Sequence, residues 1–244
     1  FRSIALLSAG IGTLIFHYCT KKIVPVFLGS SFAFIGALTL ILKEEGIASV
    51  KGGVIAAGFV YVLMSGLVRY FGVEKIKSFF PPIVVGPIIM VIGLRLSPVA
   101  LSMSGYKDGN FDPNSLIVAL VVIITMITVS ILEKSFFRLV PILIAVFLGY
   151  LTAMSLGMVG FSSFEQASWF GFSDLAKKDL LTIPVFTMTA ILGIAPIALV
   201  VFIEHIGDIA TNGAVVGKDF FKNPGITRTL FGDGLATIVA GFLG

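Results

Sequence analysis

Charge is what this 244-residue chain lacks most. Asp, Glu, Lys and Arg make up 12% of it, against roughly 25% in a soluble domain. That leaves too little polar surface to cover a water-soluble globule of this length, which argues against a large soluble protein with a greasy core. Cysteine is also nearly absent. The single Cys19 excludes an internal disulfide pair, and no Cys/His cluster has the spacing of a metal site. Basic runs are missing too: none exceeds two residues, so the net charge of +4 does not point to nucleic acid. No signal peptide is legible. Phe1 is not an initiator and Arg2 leads straight into an apolar run, so the N-terminus reads as cut.

What is present is hydrocarbon. Hydrophobic residues make up 57% of the chain, with 23 Phe and 27 Gly, and the mean hydropathy is +1.07. This composition predicts an all-α polytopic membrane protein, with glycine where helices pack closely. Because a bilayer core needs roughly 20 apolar residues of helix, the expected spans are 4–18, 24–42, 52–68, 79–103, 115–132, 139–158, 180–203 and 230–244. Short polar connections separate them, the last three being Glu133 to Arg138, Phe161 to Asp179 and Gly207 to Thr229. Alternate connections fall on alternate sides. One side collects ten cations: Lys21, Lys22, Arg69, Lys75, Lys77, Lys134, Arg138, Lys218, Lys222 and Arg228. The other collects six: Arg2, Lys43, Lys51, Lys107, Lys177 and Lys178. The positive-inside rule places the first set in the cytoplasm, and Phe1 outside.

Prolines predict breaks. Residues 79–103 carry Pro81, Pro82, Pro87 and Pro98, and residues 180–203 carry Pro184 and Pro196. Each removes an amide donor, and the freed carbonyls need another partner in lipid, although membrane helices also tolerate proline as a kink. The 24–42 span is more telling. Pro25 and the β-favouring residues after it suggest extended chain, and Gly29-Ser30-Ser31 reads as the start of a half-helix with serine as its cap. Such elements build substrate sites in transporters, because free amides and the positive helix end attract an electronegative ligand. A small-residue packing face is the alternative.

Glu204 ends 24 consecutive uncharged residues, Leu180 to Ile203. A carboxylate that close to hydrocarbon is costly and is kept when it faces a polar cavity, a substrate or a proton path. Asp208 follows at i+4 and shares its face on a helix. Two carboxylates in a poorly solvated place cannot both ionise without cost, which suits a proton carrier. An ordinary helix end, with both groups solvated, is the alternative. His205 points about 100° away from Glu204, towards a neighbouring helix, where it packs or acts as a proton relay. Asp233, between Gly232 and Gly234, caps a half-helix or pairs with a cation across the bundle.

Several stretches together resemble the uracil permease branch of the nucleobase–cation symporter family, also called nucleobase–ascorbate transporters. They are Gly10-Ile11-Gly12-Thr13-Leu14, Pro25 to Phe34, Phe80-Pro81-Pro82 with Gly86 and Val91 to Leu94, Glu204-His205-Ile206-Gly207, Asn223-Pro224-Gly225 and Arg228 to Thr237. The resemblance runs from one end of the chain to the other. It implies two inverted repeats of seven spans, divided into a core and a gate domain, with a short strand and half-helix at about residues 26–42. The chain would then be a single partial transmembrane domain with about eight spans, lacking the first span and most of the second repeat. The implied function is proton-coupled import of a nucleobase, uracil foremost, across the cytoplasmic membrane by alternating access. No cofactor is implied beyond the proton as coupling ion; the partners are the base and the lipid bilayer, and a homodimer is compatible with the family. By the resemblance Glu204 hydrogen-bonds the base and takes part in proton coupling, and Phe32, after the paired serines, lies against it.

Uracil offers two N–H donors and two carbonyl acceptors. Glu204, the amides of Ser31 and Phe32, and the Phe32 ring supply an acceptor, donors and an apolar face, which fits the base without singling out uracil. The chain departs from the family pattern at Asp208, where a histidine is usual, so the coupling role of that position is not carried over unchanged. A purine permease of the same fold is the main alternative. An anion transporter or channel is a more distant one, and an enzyme is not expected, since no nucleophile–base set or metal set is legible.

Overall fold

The computed structural model describes residues 2–78, 82–107, 109–131, 141–160 and 174–244. Contacts divide the chain into two compact units, Phe1–Ile92 with Phe172–Gly244, and Gly93–Gly171. The first unit begins with α1 (Arg2–Cys19), a helix-free stretch over 23–31, a 3-10 turn (Phe32–Phe34), α2 (Ile35–Glu44), α3 (Ile47–Phe71) and α4 (Val73–Ser78). Then α5 (Pro82–Met103) runs from the first unit into the second. The second unit continues with a hairpin of β1 (Tyr106–Lys107) and β2 (Asn110–Phe111), then α6 (Pro113–Ile131) and α7 (Pro141–Ser155). Asp112 caps α6, accepting from the Ser115 N–H at 2.9 Å, and Pro113 takes the first helical position, where no amide donor is needed. The chain returns to the first unit with α8 (Asp174–Leu181), α9 (Met188–Ile194), α10 (Ile197–Val216), an irregular turn (Phe221–Gly225) and α11 (Ile226–Leu243).

Four helical stretches are long and apolar enough to cross a bilayer: Ile47–Phe71, Pro113–Ile131, Met188–Val216 and Phe221–Leu243. Ile4–Cys19 and Pro141–Ser155 are apolar but shorter. With one two-residue hairpin as the only strands among the described residues, this is an all-α polytopic architecture. The boundaries correct the sequence expectation in three places. The expected span is not broken over 82–103: α5 is continuous from Pro82, with Pro87 and Pro98 inside it. The 180–203 span starts as extended chain over 182–187 and bends at Ala195–Pro196. It then continues past Glu204 to Val216, so Gly207 to Val216 is helix and not connection. The last helix starts at Ile226, four residues before the expected 230. Connections expected at 133–138 and over 161–173, together with Phe80-Pro81, lie outside the described residues.

α3 is the centre of the first unit, packing against α11, α10, α9 and α2. Its backbone meets that of α11 almost directly. A Cβ added at Gly58 would stand 2.9 Å from the Gly234 carbonyl and 2.8 Å from the Ile238 amide, and one at Gly234 would stand 3.0 Å from the Gly58 carbonyl. Small residues permit such approach where helices associate in lipid. Gly58→Leu in the full-length protein should therefore lower its thermal midpoint, at a cost of about 1–3 kcal/mol for overpacking. Gly66→Leu, one face away on the same helix with nothing within 4 Å of an added Cβ, should leave it unchanged. Equal midpoints in a thermal-shift assay would contradict this packing.

Lys51 corrects a different expectation. It was counted among the outer topology charges, yet it is 1% exposed. Its ammonium lies 2.6 Å from the Asp179 carbonyl, 2.9 Å from that of Thr182 and 3.1 Å from that of Phe242. A buried cation surrounded by carbonyls is a structural clamp. Next to it, the extended chain after α8 is tied to α3 by the Val185 N–H donating to the Ala48 carbonyl at 2.9 Å. Thr187 then caps α9, accepting from the Ala190 N–H at 3.2 Å. The Thr187 hydroxyl also donates to Glu45, in the connection between α2 and α3, and holds that carboxyl below its ordinary value.

Candidate functional site

The helix-free stretch after α1 supplies one wall of the site. Lys21 and Lys22, at φ 55° and 58°, turn the chain out of the helix, with the Lys22 N–H returning to the His17 carbonyl at 2.7 Å. The chain then runs back along α1. Thr13 holds it there: its hydroxyl donates to the Ala9 carbonyl at 2.7 Å and accepts from the Leu28 N–H at 3.0 Å. Ser31 ends the stretch in extended backbone and caps the 3-10 turn, accepting from the Ala33 N–H at 3.3 Å. Among the described residues, the N–H groups of Gly29, Ser30 and Ser31 have no hydrogen-bond partner in the chain. No strand ladder forms here among the described residues; the segment is extended without a pairing neighbour.

The facing wall is α10. Glu204 and Asp208, one turn apart, both open onto a cavity of about 670 Å³ that is also lined by Gly29, Ser30, Ser31, Tyr61 and Asp233. Ser31 Oγ stands 3.5 Å from Glu204 Oε2, the outer limit of a hydrogen bond, across 173 residues of sequence. Three carboxylates and an imidazole line this space, and none of the lining residues among those described is Lys or Arg. Such a lining favours protons and N–H donors over anions.

His205 turns away from Glu204 and is 7% exposed. Its Nδ1 lies 3.0 Å from Asp233 Oδ2 and its Nε2 3.0 Å from Thr229 Oγ1, both on α11. Asp233 thus sits inside a helix and pairs with an imidazole, not with a lysine or arginine. Phe32 starts the 3-10 turn, is 67% exposed and is not among the cavity's lining residues, whereas Phe34 is. The structure therefore brings together Ser31, Glu204, Asp208 and, behind them, His205; Phe32 stands outside that group. Thr13, Thr229 and the His205–Asp233 pairing were missed from sequence. Thr13 and Thr229 entered only within the Gly10 to Leu14 and Arg228 to Thr237 stretches of the resemblance.

The profile of the Permease family matches residues 1–244. A "Probable uracil permease" of Haemophilus influenzae is 43% identical over 241 residues, covering 98% of this chain and 57% of that protein. The uracil permease of Bacillus subtilis is 37% identical over 247 residues, covering 99% and 57%. The uracil permease of Escherichia coli K12 is 37% identical over 242 residues, covering 98% and 55%. The chain thus spans little more than half the length of the curated relatives it matches.

Proposed function

The chain belongs to the Permease family, and from that premise we propose that the complete protein imports a nucleobase, uracil, together with protons. The observation that carries the reading is the meeting of Ser31 and Glu204 across the cavity, 3.5 Å apart. Uracil needs an acceptor for its N–H and donors for its carbonyls. Glu204 is the acceptor, and the free amides of Gly29, Ser30 and Ser31 are the donors. The resemblance names Phe32 as the residue against the ring; its exposed position supports that role less than the cavity supports Ser31 and Glu204. Relatives bearing the name uracil permease favour uracil over a purine.

Glu204 is the group that carries the coupled proton, with Asp208 and His205 beside it. Protonated from outside, it binds the base and releases both after the exposure of the site alternates. In this reading Phe1–Ile92 with Phe172–Gly244 serve as the core and Gly93–Gly171 as the gate. This is binding and translocation without bond-making, so the protein is a transporter and not an enzyme.

Uptake of labelled uracil into vesicles containing the complete protein tests the reading. An inward proton gradient should drive accumulation, a protonophore should collapse it, and excess xanthine should leave it intact. Competition by xanthine as strong as by unlabelled uracil would reassign the substrate to the purines. Accumulation indifferent to the proton gradient would remove the coupling.

A further inference from the structure

A threonine inside a helix commonly spends its hydroxyl on the carbonyl four residues back. Thr128, Thr152 and Thr211 do so, and their hydroxyls make no further bond among the described residues. Thr13 differs. Its hydroxyl donates to the Ala9 carbonyl at 2.7 Å and also accepts from the Leu28 N–H at 3.0 Å. The one hydrogen goes to Ala9, which leaves the lone pairs for Leu28.

The helix-free stretch has little else to fix it lengthwise. Its side chains alternate: Val24, Val26 and Leu28 turn into the core of the first unit, while Pro25, Phe27 and Gly29 are exposed. That packing selects a face of the segment but not its register along α1, because apolar contact is non-directional. Past Val26 and before the Ser31 cap, the Thr13–Leu28 bond is the one hydrogen bond among the described residues that ties this backbone to another element. Directly after it come Gly29, Ser30 and Ser31, which line the cavity and whose N–H groups have no partner among the described residues. α1 is itself held at this level. Gly12, next to Thr13, lies so close to α11 that an added Cβ would stand 3.2 Å from the Ala236 Cβ. Contact therefore runs from α11 through Gly12 and Thr13 to Leu28 and the three amides.

We propose that Thr13 is a positioning residue of the substrate site: its hydroxyl sets the register of residues 28–31 against α1 and so aims the Gly29 to Ser31 amides at a carbonyl oxygen of the bound base. Thr13 is not among the residues lining the cavity and acts through the Leu28 amide. Hydrogen bonds weaken steeply with distance and angle, so a small slip of the segment costs the amides their acceptor. Valine at this position cannot hold the register. A methyl group takes the place of the hydroxyl, and carbon contacts settle at roughly 3.5–4.0 Å, further than the present 3.0 Å. The proposal rests on the reading of the cavity as a nucleobase site, and its test separates the two.

The experiment compares Thr13→Val and Thr13→Ser in the complete protein in lipid nanodiscs, with Thr128→Val as the control for losing an ordinary helix threonine. Binding is measured for uracil, 2-thiouracil and 4-thiouracil; each analogue replaces one carbonyl oxygen by sulfur, a weak acceptor. Thr13→Val should bind uracil about tenfold more weakly, the equivalent of one hydrogen bond. Its preference for uracil over one of the two analogues should shrink by the same factor. Thr13→Ser and Thr128→Val should keep both affinity and preference. In uptake the loss should fall on KM and not on kcat. Deuterium exchange of the 26–31 amides without ligand should be faster in Thr13→Val and unchanged in Thr13→Ser. A valine variant that binds all three bases less well by one common factor overturns the proposal, as does one that keeps its uracil affinity or one whose 26–31 exchange matches the unsubstituted protein. Thr13→Ala, which removes the acceptor without adding a methyl group, carries the same comparison if valine prevents folding. Absence of uracil binding by the unsubstituted protein removes the nucleobase reading, and the exchange result then decides by itself whether Thr13 fixes the segment.

Discussion

Glu204→Gln should abolish proton-driven accumulation of uracil by the complete protein while leaving exchange of uracil across the membrane measurable. Gln keeps the shape of Glu204 and one acceptor oxygen, so the cavity between α10 and the 25–31 segment should remain. Two things are lost. The hydrogen bond from a base N–H to a charged acceptor becomes a neutral one, a difference of about 1 kcal/mol or more and so a several-fold to tenfold weaker affinity. The ability to exchange a proton at that position disappears altogether. The second loss is the larger because it is not graded: a side chain that cannot ionise cannot link base binding to the proton gradient. Counterflow, in which internal unlabelled uracil draws in labelled uracil, requires only binding and the change of access. A variant that exchanges but does not accumulate is the expected phenotype. Full proton-driven accumulation by Glu204→Gln would remove Glu204 from the coupling role, and with it the reading of this cavity as the substrate site.

Asp208 bears on the same experiment. It lies one turn from Glu204 and lines the same cavity, with no lysine or arginine among the described lining residues to offset either charge. Close carboxylates oppose joint ionisation. This acidic lining supports a site that takes up protons and offers acceptors to N–H groups, and it opposes an anion cargo.

How much of this was legible in the sequence follows from what each signal depends on. The all-α membrane architecture was legible because hydropathy is set by the bilayer and needs no knowledge of packing. The extended stretch from Pro25 and the serine cap were legible because proline, glycine and serine act locally; Ser31 caps the turn as expected. Glu204 stood out because a carboxylate at the end of an uncharged run is costly wherever it points. The same logic misplaced the end of its helix. Charge was read as a boundary, but His205 and Asp208 face protein and cavity, so α10 runs on to Val216. Partners across the bundle were out of reach: His205 and Asp233 are 28 residues apart, and nothing in either stretch names the other. Thr13 and Thr229 are threonines in apolar helices, and only their neighbours in space distinguish them from ordinary ones.

Lys51 is the sharpest case, and its replacement should do the most damage to the fold. Lys51→Met retains length and apolar bulk but removes the ammonium. The carbonyls of Asp179, Thr182 and Phe242, which belong to half-buried and exposed residues around the buried lysine, then face one another without that donor. Each belongs to a helix end or the chain just beyond one, where intrahelical partners run out. The ammonium fits there for two reasons: its three hydrogens match three oxygens, and the negative ends of α8 and α11 converge on it. A buried Asp179 carboxylate oxygen, without a hydrogen-bond partner of its own among the described residues, adds negative charge nearby. Breaking such a buried arrangement from one side costs about 3–5 kcal/mol, a large share of the stability of most folds. Full-length Lys51→Met should therefore express poorly and unfold many degrees earlier in a thermal-shift assay. Lys51→Arg should not rescue it, because a planar guanidinium cannot present three donors to carbonyls arranged around a point. A surface topology charge would behave in the opposite way: Lys43→Met, on the exposed end of α2, should leave the midpoint unchanged. If Lys51→Met does the same, the clamp between α3, α8 and α11 contributes nothing to the fold.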